Sequence, residues 1–160
     1  MTIAVYAGSF DPFTLGHSDI LERSLKIFDK VIIGIAKNPD KNSLLSTEEK
    51  TELIKLCTRN IEGIEICTYE GLTVDFAKKH NATVLIRGLR SSDDFEYENR
   101  LAQINLSLNN NIQTLFLASK SKYNFISSSA VRELISHKCD LSDFVPEKAK
   151  EYLYKKFNYS

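Results

Sequence analysis

Two patterns of apolar and polar positions alternate along the chain. Short, nearly continuous apolar runs are separated by longer segments in which apolar residues recur every three or four positions. The first pattern is typical of strands buried in a parallel sheet, and the second is typical of amphipathic helices. The five runs predicted as strands are 3–7, 30–36, 64–69, 83–86 and 114–117.

The segments between these runs are predicted to be helices. The first helix begins near His17, and a second begins at a capping-box pattern from Ser46 to Glu49. Pro146 is predicted to occupy the first position of the last helix. The other predicted helices are 74–80, 92–109 and 128–137. In the helix over 92–109, the spacing of Phe95, Leu101, Ala102, Asn105 and Leu108 predicts one shared face.

Alternating strands and helices predict an α/β fold, because parallel neighbours need helical crossovers. We therefore expect a Rossmann-like, doubly wound, five-stranded parallel sheet in a single domain over residues 1–160. In such a sheet ligands bind beyond the carboxyl ends of the strands, where the strand order reverses. Residues that follow the strands are therefore the candidates for function.

Composition narrows the classes of function. Hydrophobic residues make up 42% and charged residues 26% of the 160 residues, as in ordinary soluble domains. Lys plus Arg and Asp plus Glu both number 21, which argues against a general affinity for nucleic acid or anionic membranes. No run is long enough for a membrane span or built like a signal peptide, so we expect a cytoplasmic protein.

The three cysteines indicate no metal centre or disulfide framework. Cys57, Cys67 and Cys139 are far apart and form no C-x-x-C pair. They fit reduced thiols in a cytosolic protein better than a disulfide frame or a zinc site. No ligand cluster for a metal is evident elsewhere in the sequence.

The turn after the first strand has the properties of a phosphate site. Between that strand and the first helix runs G-S-F-D-P-F-T-L-G-H, residues 8–17. A helix N-terminus favours anions, and Gly8 and Gly16 allow a ligand close to the backbone. Ser9, Thr14 and His17 add side-chain donors. The run matches neither the P-loop nor the dinucleotide-binding glycine pattern.

Polar and cationic residues also follow the other predicted strands. Lys41 follows the second strand, and Thr73 follows the third. Arg87 and Arg90 flank Gly88 at the end of the fourth strand, where arginine favours bidentate contacts with phosphate.

The next two segments add an acidic residue and a second anion site. Glu98 lies one turn into the next helix, where it could hold a ribose or an arginine. After the fifth strand, the serines of 127–129 enter a helix and predict a second anion cradle that faces the first.

Four motifs in this order resemble one known family. They are G-S-F-D-P-F-T-L-G-H, L-I-R-G-L-R, D-F-E-Y-E and I-S-S-S-x-V-R-E, and the resemblance runs from Ala4 to about Pro146. The chain resembles the bacterial phosphopantetheine adenylyltransferases of the T/H-x-G-H nucleotidyltransferase superfamily. The resemblance implies transfer of the adenylyl group of ATP to 4′-phosphopantetheine, giving dephospho-CoA and pyrophosphate. It also implies Mg²⁺ bound with ATP, feedback inhibition by CoA and a homohexamer, with no nucleic-acid or membrane partner.

The resemblance also implies roles for individual residues. His17, Lys41 and Arg90 are implied to be catalytic, with His17 stabilising the transition state. The implied phosphopantetheine contacts are Ser9, Lys41, Thr73, Arg87, Asn105 and Glu133. The implied ATP contacts are Ser9, Phe10, His17, Gly88, Leu89, Arg90, Glu98, Tyr123, Asn124, Phe125, Ile126, Ser127, Ser128 and Ser129.

Three positions depart from the commonest pattern of the family. Ser9 replaces a frequent threonine but keeps the hydroxyl, Tyr123 stands where an indole is expected, and Arg100 stands where glutamine is usual. These departures bear on adenine stacking and on details of the pocket, and they leave the reaction unchanged.

The residues also indicate a reaction mechanism. A phosphate monoester is already anionic at neutral pH, because its second pKa is about 6. No general base is then needed, and no Ser/His/Asp arrangement or carboxylate pair is apparent in the sequence. Direct in-line attack on the α-phosphate, without a covalent enzyme intermediate, is therefore our hypothesis.

Other functions remain open at this point. Nicotinamide mononucleotide is the nearest alternative acceptor, although R-G-L-R followed by D-F-E-Y-E disfavours it. I-S-S-S in place of R-T-x-G-I-S-T disfavours a cytidylyltransferase, and the lack of a basic face disfavours a class I aminoacyl-tRNA synthetase fragment. A non-catalytic nucleotide sensor on the same sheet is a further class.

Overall fold

A computed structural model describes residues 1–37 and 42–160. Its strands are β1 (Ile3–Gly8), β2 (Lys30–Ala36), β3 (Ile64–Tyr69), β4 (Val84–Leu89) and β5 (Gln113–Ala118). Its helices are α1 (Leu15–Ser24), α2 (Thr47–Thr58), α3 (Thr73–Lys79), α4 (Ser92–Leu108), α5 (Ser128–Ser136) and α6 (Glu147–Lys156), with a short 3-10 turn at Ser121–Tyr123.

The sheet has the predicted doubly wound topology. Its strand order is β3-β2-β1-β4-β5, and every neighbouring pair is parallel. The chain builds outward from β1 to β3 and then crosses back to β4. The connections that leave β1 and β4 therefore diverge to opposite faces, and a crevice opens between these strands at their carboxyl ends.

The two faces of the sheet are covered unequally. Strand alternation directs Tyr6 to one face and Val5 to the other. The Tyr6 face is the larger core and buries residues of α1, α2, α5 and α6, whereas the Val5 face packs on α3. Within α4, only Glu98 is buried. Phe95 and Leu108, two of the five residues predicted to share a face of α4, are 46% and 52% exposed.

Two predicted boundaries shift in ways that matter for the site. Strand β4 continues to Leu89, so Arg87 and Gly88 pair with Phe116 and Leu117 of β5 inside the sheet. Pro146 adopts an extended ψ of 152° and caps α6, which begins at Glu147. The β4 shift gives Arg87 a fixed backbone position in the sheet.

In the described parts of the chain, no helix combines the length and apolar character needed to cross a bilayer.

Candidate active site

The first turn of α1 fixes the tautomer of the neutral His17 ring. Thr14 caps the helix, and its Oγ1 accepts the main-chain N–H of His17 at 3.3 Å. In return, the main-chain N–H of Thr14 donates to His17 Nδ1 at 3.0 Å. Because Nδ1 accepts this hydrogen bond, the neutral ring carries its proton on Nε2. Within residues 1–37 and 42–160, no hydrogen-bond partner of Nε2 is found, so this N–H can donate to a ligand.

Aromatic packing and nearby cations keep the imidazole neutral. The ring stacks on Phe13 at 5.6 Å and meets the edges of Phe10 and Tyr6. Burial, followed by the positive charges of Arg87 and Arg90, lowers the pKa of His17 from 6.5 to about 3. At neutral pH His17 is thus a hydrogen-bond donor without a positive charge.

Two glycines near His17 lie in tightly packed positions. A Cβ on Gly8 would lie 3.2 Å from Phe10 Cζ, and a Cβ on Gly88 would lie 3.2 Å from Ile20 Cγ1. Phe10 itself has a left-handed φ of 47°, which turns its ring back over Gly8. The sequence predicted that these glycines admit a ligand. The structure shows in addition that they admit the Phe10 ring and the Ile20 side chain.

The N-terminus of α5 is held against the β1–α1 turn. Ser127 Oγ caps α5 by accepting the main-chain N–H of Ala130 at 3.0 Å. Ser128 Oγ donates to the carbonyl oxygen of Pro12 at 2.9 Å, and Arg132 Nη1 donates to that of Asp11 at 2.8 Å. Ser128 therefore uses its hydroxyl hydrogen within the protein, whereas Ser127 Oγ accepts from Ala130 and Ser129 Oγ accepts from Arg132 Nη2. The hydroxyl hydrogens of Ser127 and Ser129 and the main-chain N–H groups of the first turn can still serve an anion.

A cavity of about 370 Å³ lies between these two helix N-termini. It is lined by His17, Arg90 and Ser128 together, so the structure brings the two predicted anion sites and the cation to one place. Its volume falls within the range of small-molecule sites. The predicted ATP contacts that line it are Ser9, Phe10, His17, Gly88, Arg90, Glu98, Tyr123, Ile126, Ser127, Ser128 and Ser129.

Arg87 and Glu98 form a rigid ion pair beside this cavity. Arg87 Nε and Nη2 donate to the two Glu98 carboxylate oxygens, each at 2.7 Å, and Nη1 donates to the carbonyl oxygen of Ala7 at 2.8 Å. Burial disfavours the charge of Arg87, but the Glu98 carboxylate raises its pKa above the ordinary value. The sequence allowed Glu98 to bind either a ribose or an arginine, and in the structure it binds Arg87.

Arg90 instead connects the first turn of α4 to a loop. Its Nε and its main-chain N–H both donate to Asp94 Oδ2 at 3.1 Å, and its Nη1 donates to the carbonyl oxygen of Ile126 at 3.1 Å. The guanidinium therefore joins the start of α4 to the segment that leads into α5.

A second cavity of about 200 Å³ adjoins the first. Ser9, Arg87 and Glu98 line both cavities, so their side chains stand at the junction. Four of the six predicted phosphopantetheine contacts line the second cavity, namely Ser9, Thr73, Arg87 and Asn105. Thr73 is held in place by a 2.9 Å hydrogen bond between its Oγ1 and the Tyr69 hydroxyl.

Several predicted residues lie elsewhere. Leu89, Asn124 and Phe125 line neither cavity, and the Phe125 ring is 61% exposed and packs edge-on against Phe144. Glu133 is exposed on α5 and also lines neither cavity. Lys41 falls outside the described residues.

Sequence reasoning missed some lining residues. Tyr6, Asp94, Ser119 and Arg132 line the larger cavity but were given no role there. Arg132 is part of the I-S-S-S-x-V-R-E motif, and its place one turn into α5 was the signal that could have revealed it. Tyr6 had no such signal, because its position in an apolar run indicates only a core residue.

Comparisons with known proteins identify the family of the chain. Residues 5–134 match a protein family described as cytidylyltransferase-like. The chain is 49% identical over 158 residues to a phosphopantetheine adenylyltransferase from Geotalea daltonii, covering 99% of this chain and 98% of that protein. It is 44% identical to the protein of the same name from Lachnoclostridium phytofermentans, covering 99% and 97%.

A solved structure with the same fold is the Plasmodium falciparum nicotinic acid mononucleotide adenylyltransferase complexed with NaAD. The TM-score is 0.69 at 20% identity, with 99% of this chain and 98% of that chain covered. At this identity the likeness bears on the fold alone.

Proposed function

The chain belongs to the phosphopantetheine adenylyltransferase family of nucleotidyltransferases, and we propose that it transfers the adenylyl group of ATP to 4′-phosphopantetheine. The products would be dephospho-CoA and pyrophosphate. The observation that carries the proposal is the junction of two cavities beside His17, Arg87 and Arg90. One cavity would hold ATP and the other the acceptor phosphate.

We propose direct in-line attack for the chemical step. An acceptor phosphate oxygen forms a bond to the α-phosphorus, the bond from the α-phosphorus to the pyrophosphate oxygen breaks, and no proton moves to the protein. A neutral His17 with a pKa of about 3 cannot supply a proton at neutral pH. Its Nε2–H instead donates to charge that develops on the α-phosphate.

The surrounding groups would position the two anions. Arg90 and the N-terminus of α5 favour the ATP phosphates, while Arg87, fixed by Glu98, faces the acceptor from the junction. The catalytic role of Lys41 and the acceptor contact of Glu133 remain predictions from the resemblance. We propose that Mg²⁺ enters as a complex with ATP, because Asp94 and Glu98, the carboxylates lining the larger cavity, are each bound by an arginine.

The decisive assay is pyrophosphate release from ATP with 4′-phosphopantetheine, with nicotinamide mononucleotide and without acceptor. Of these three conditions, we expect pyrophosphate release only when 4′-phosphopantetheine is the acceptor. Release with nicotinamide mononucleotide would indicate the alternative acceptor, and tight ATP binding without turnover would indicate a sensor. The α-phosphorus should invert, and retention or a trapped adenylyl-enzyme would contradict direct transfer.

His17→Gln is the matched test of the catalytic role. Losing one charge-stabilising donor is expected to lower kcat about 10²–10³-fold with little change in KM. His137→Gln is the control, since His137 caps the far end of α5 and lines neither cavity. An unchanged kcat in His17→Gln would remove His17 from the mechanism.

We also propose that the chain forms a homo-oligomer, a hexamer by family resemblance, through α4. Tyr97, Ile104 and Leu108 lie on one side of this helix, and each is about half exposed. Contiguous exposed apolar surface of this kind marks an interaction site. Ile104→Glu should lower the mass in sedimentation velocity, whereas Ile27→Glu, at an equally exposed residue outside α4, should not.

CoA is proposed to inhibit from the acceptor cavity, because CoA contains the phosphopantetheine group itself. Inhibition should then be competitive with phosphopantetheine and weakened by Arg87→Gln. Free thiols at all three cysteines fit the reducing cytoplasm, which we propose as the location.

A further inference from the structure

Three metal-ligating side chains meet on edge strand β3, outside the active site. Glu65 and Cys67 are two residues apart on the strand, so their side chains lie on the same face. His80 follows α3, which packs over that face. One ligand atom from each residue lies within 4.8 Å of the other two, and no other group of His, Cys, Asp or Glu within 1–37 and 42–160 meets this condition.

Neighbouring contacts fix the three side chains before any ion binds. Cys67 Sγ donates to Glu65 Oε1 at 3.3 Å. The His80 ring packs on Phe76 with centroids 4.5 Å apart, and Phe76 stacks on Tyr69 at 4.4 Å. All three candidate ligands are half-buried at the sheet edge, so solvent ions reach them while the protein restrains them.

The donor set selects a class of metal. A thiolate, an imidazole and a carboxylate together suit Zn²⁺ and Co²⁺, whereas Mg²⁺ and Ca²⁺ prefer oxygen alone. Zinc bonds are about 2.0–2.3 Å long, so the ligand atoms, which lie within 4.8 Å of one another, would draw together on binding. The two negative charges of thiolate and carboxylate also match a divalent cation.

We propose that Glu65, Cys67 and His80 bind one divalent transition-metal ion of the zinc class, with water at the fourth position. The Cys67 S–H bond breaks on binding, the sulfur electrons form the bond to the metal, and the proton passes to the buffer. The bound ion would join β3 to the end of α3. Because Tyr69 and Thr73 of this same unit line the smaller cavity, the ion would also brace that wall.

Nearby lysines set the strength of the site. Lys30 forms an ion pair with Glu65 Oε2, which leaves Oε1, the oxygen facing Cys67, for the metal. Lys79 adds a second positive charge near Cys67. Both cations repel a metal ion, so Lys30→Gln should bind it more tightly than the native chain does.

The test is a Co²⁺ titration of the full, untagged, reduced chain, monitored by absorption. We expect saturation at one equivalent, with a thiolate-to-cobalt band in the near ultraviolet and the visible bands of tetrahedral cobalt. Zn²⁺ should remove these bands, and excess Mg²⁺ should not. Saturating Zn²⁺ should also raise the melting temperature.

Matched variants assign the ligands. Cys67→Ser should abolish the near-ultraviolet band, and His80→Gln should weaken binding by more than about tenfold, the loss that even an outer partner of a metal site causes. Cys139→Ser is the control, because Cys139 also has a histidine and a carboxylate near it in sequence, His137 and Asp140. This variant should bind Co²⁺ as the native chain does. If Cys67→Ser fails to fold, His80→Gln decides, because its side chain ends at the surface.

Three results would overturn the proposal. They are no saturable Co²⁺ binding at micromolar protein, an unchanged band in folded Cys67→Ser, and unchanged affinity in His80→Gln. None of them bears on adenylyl transfer, which is assayed separately.

Discussion

Arg87 lies within β4 and Arg90 directly follows this strand, yet the two arginines are held in different ways. Arg87 is fixed by a bidentate pair with Glu98, whose side chain is 11% exposed, and by the carbonyl of Ala7. Arg90 binds Asp94, whose side chain is 27% exposed, and a loop carbonyl. The first guanidinium is held rigidly at the junction of the cavities, and the second links the first turn of α4 to a loop.

The difference shows that the partner, more than the residue type, decides how firmly an arginine at this site is held. Glu98 lies inside α4 and is buried, so it restrains Arg87 along the whole guanidinium edge. Asp94 lies in the first turn of α4 and holds Arg90 through one oxygen. Arg90 therefore retains more freedom to follow a ligand.

Among the variants that test this comparison, substitutions of the two arginines should have the largest effects, and each should weaken the use of a different substrate. Arg87→Gln should raise KM for phosphopantetheine, and Arg90→Gln should raise KM for ATP, each with an about 10–100-fold loss of kcat/KM, because a charged hydrogen bond is worth about 1.5–3 kcal/mol. Steady-state kinetics with each substrate varied provides the measurement. Arg100→Gln, at an exposed α4 position, should behave as the native chain does. Equal losses of kcat/KM for ATP and for phosphopantetheine in both variants would contradict this assignment of one arginine to each substrate.

Glu98→Gln should destabilise the fold. Removing one partner of a fully buried ion pair costs about 3–5 kcal/mol, and because Arg87 is one-third exposed we expect about 2 kcal/mol here. The free energy of unfolding from urea titration measures this loss. A change below about 0.5 kcal/mol would mean that Arg87 is held by Ala7 alone.

Asp94→Asn is the matched surface change. Exposed ion pairs contribute about 0–1 kcal/mol, so the unfolding free energy should change by less than about 0.5 kcal/mol. A loss as large as that of Glu98→Gln would show that the two pairs are equivalent.

The smallest expected effect of substituting the arginines is a change in the pKa of His17. Its folded-state pKa of about 3 lies below the ordinary 6.5, so the unfolded chain binds more protons between these values. The contribution of His17 to stability is therefore present above about pH 6.5 and is lost as pH falls toward 3. Removing a neighbouring positive charge should raise this pKa, more in Arg87→Gln than in Arg90→Gln.

NMR titration of the imidazole measures that shift, with Arg100→Gln as the reference. Identical His17 titrations in all three variants would show that burial alone sets the pKa.

Much of the fold was predictable because buried strands and amphipathic helices have different periods. Apolar runs located all five strands, and their alternation with helices predicted the parallel sheet. The spacing along α4 predicted a shared face, but spacing does not show what covers such a face. Phe95 meets the Phe116 ring edge-on and remains 46% exposed, and Leu108 is 52% exposed.

The sequence by itself determined the elements, the order of the motifs and the family, since these depend on residue type and spacing. The tertiary structure decided that Glu98 holds Arg87, that Ser128 of α5 donates to the carbonyl oxygen of Pro12, and that Glu65, Cys67 and His80 meet. The reason is physical: such contacts join residues far apart in the chain, and only the packing of strands and helices sets the distances between them.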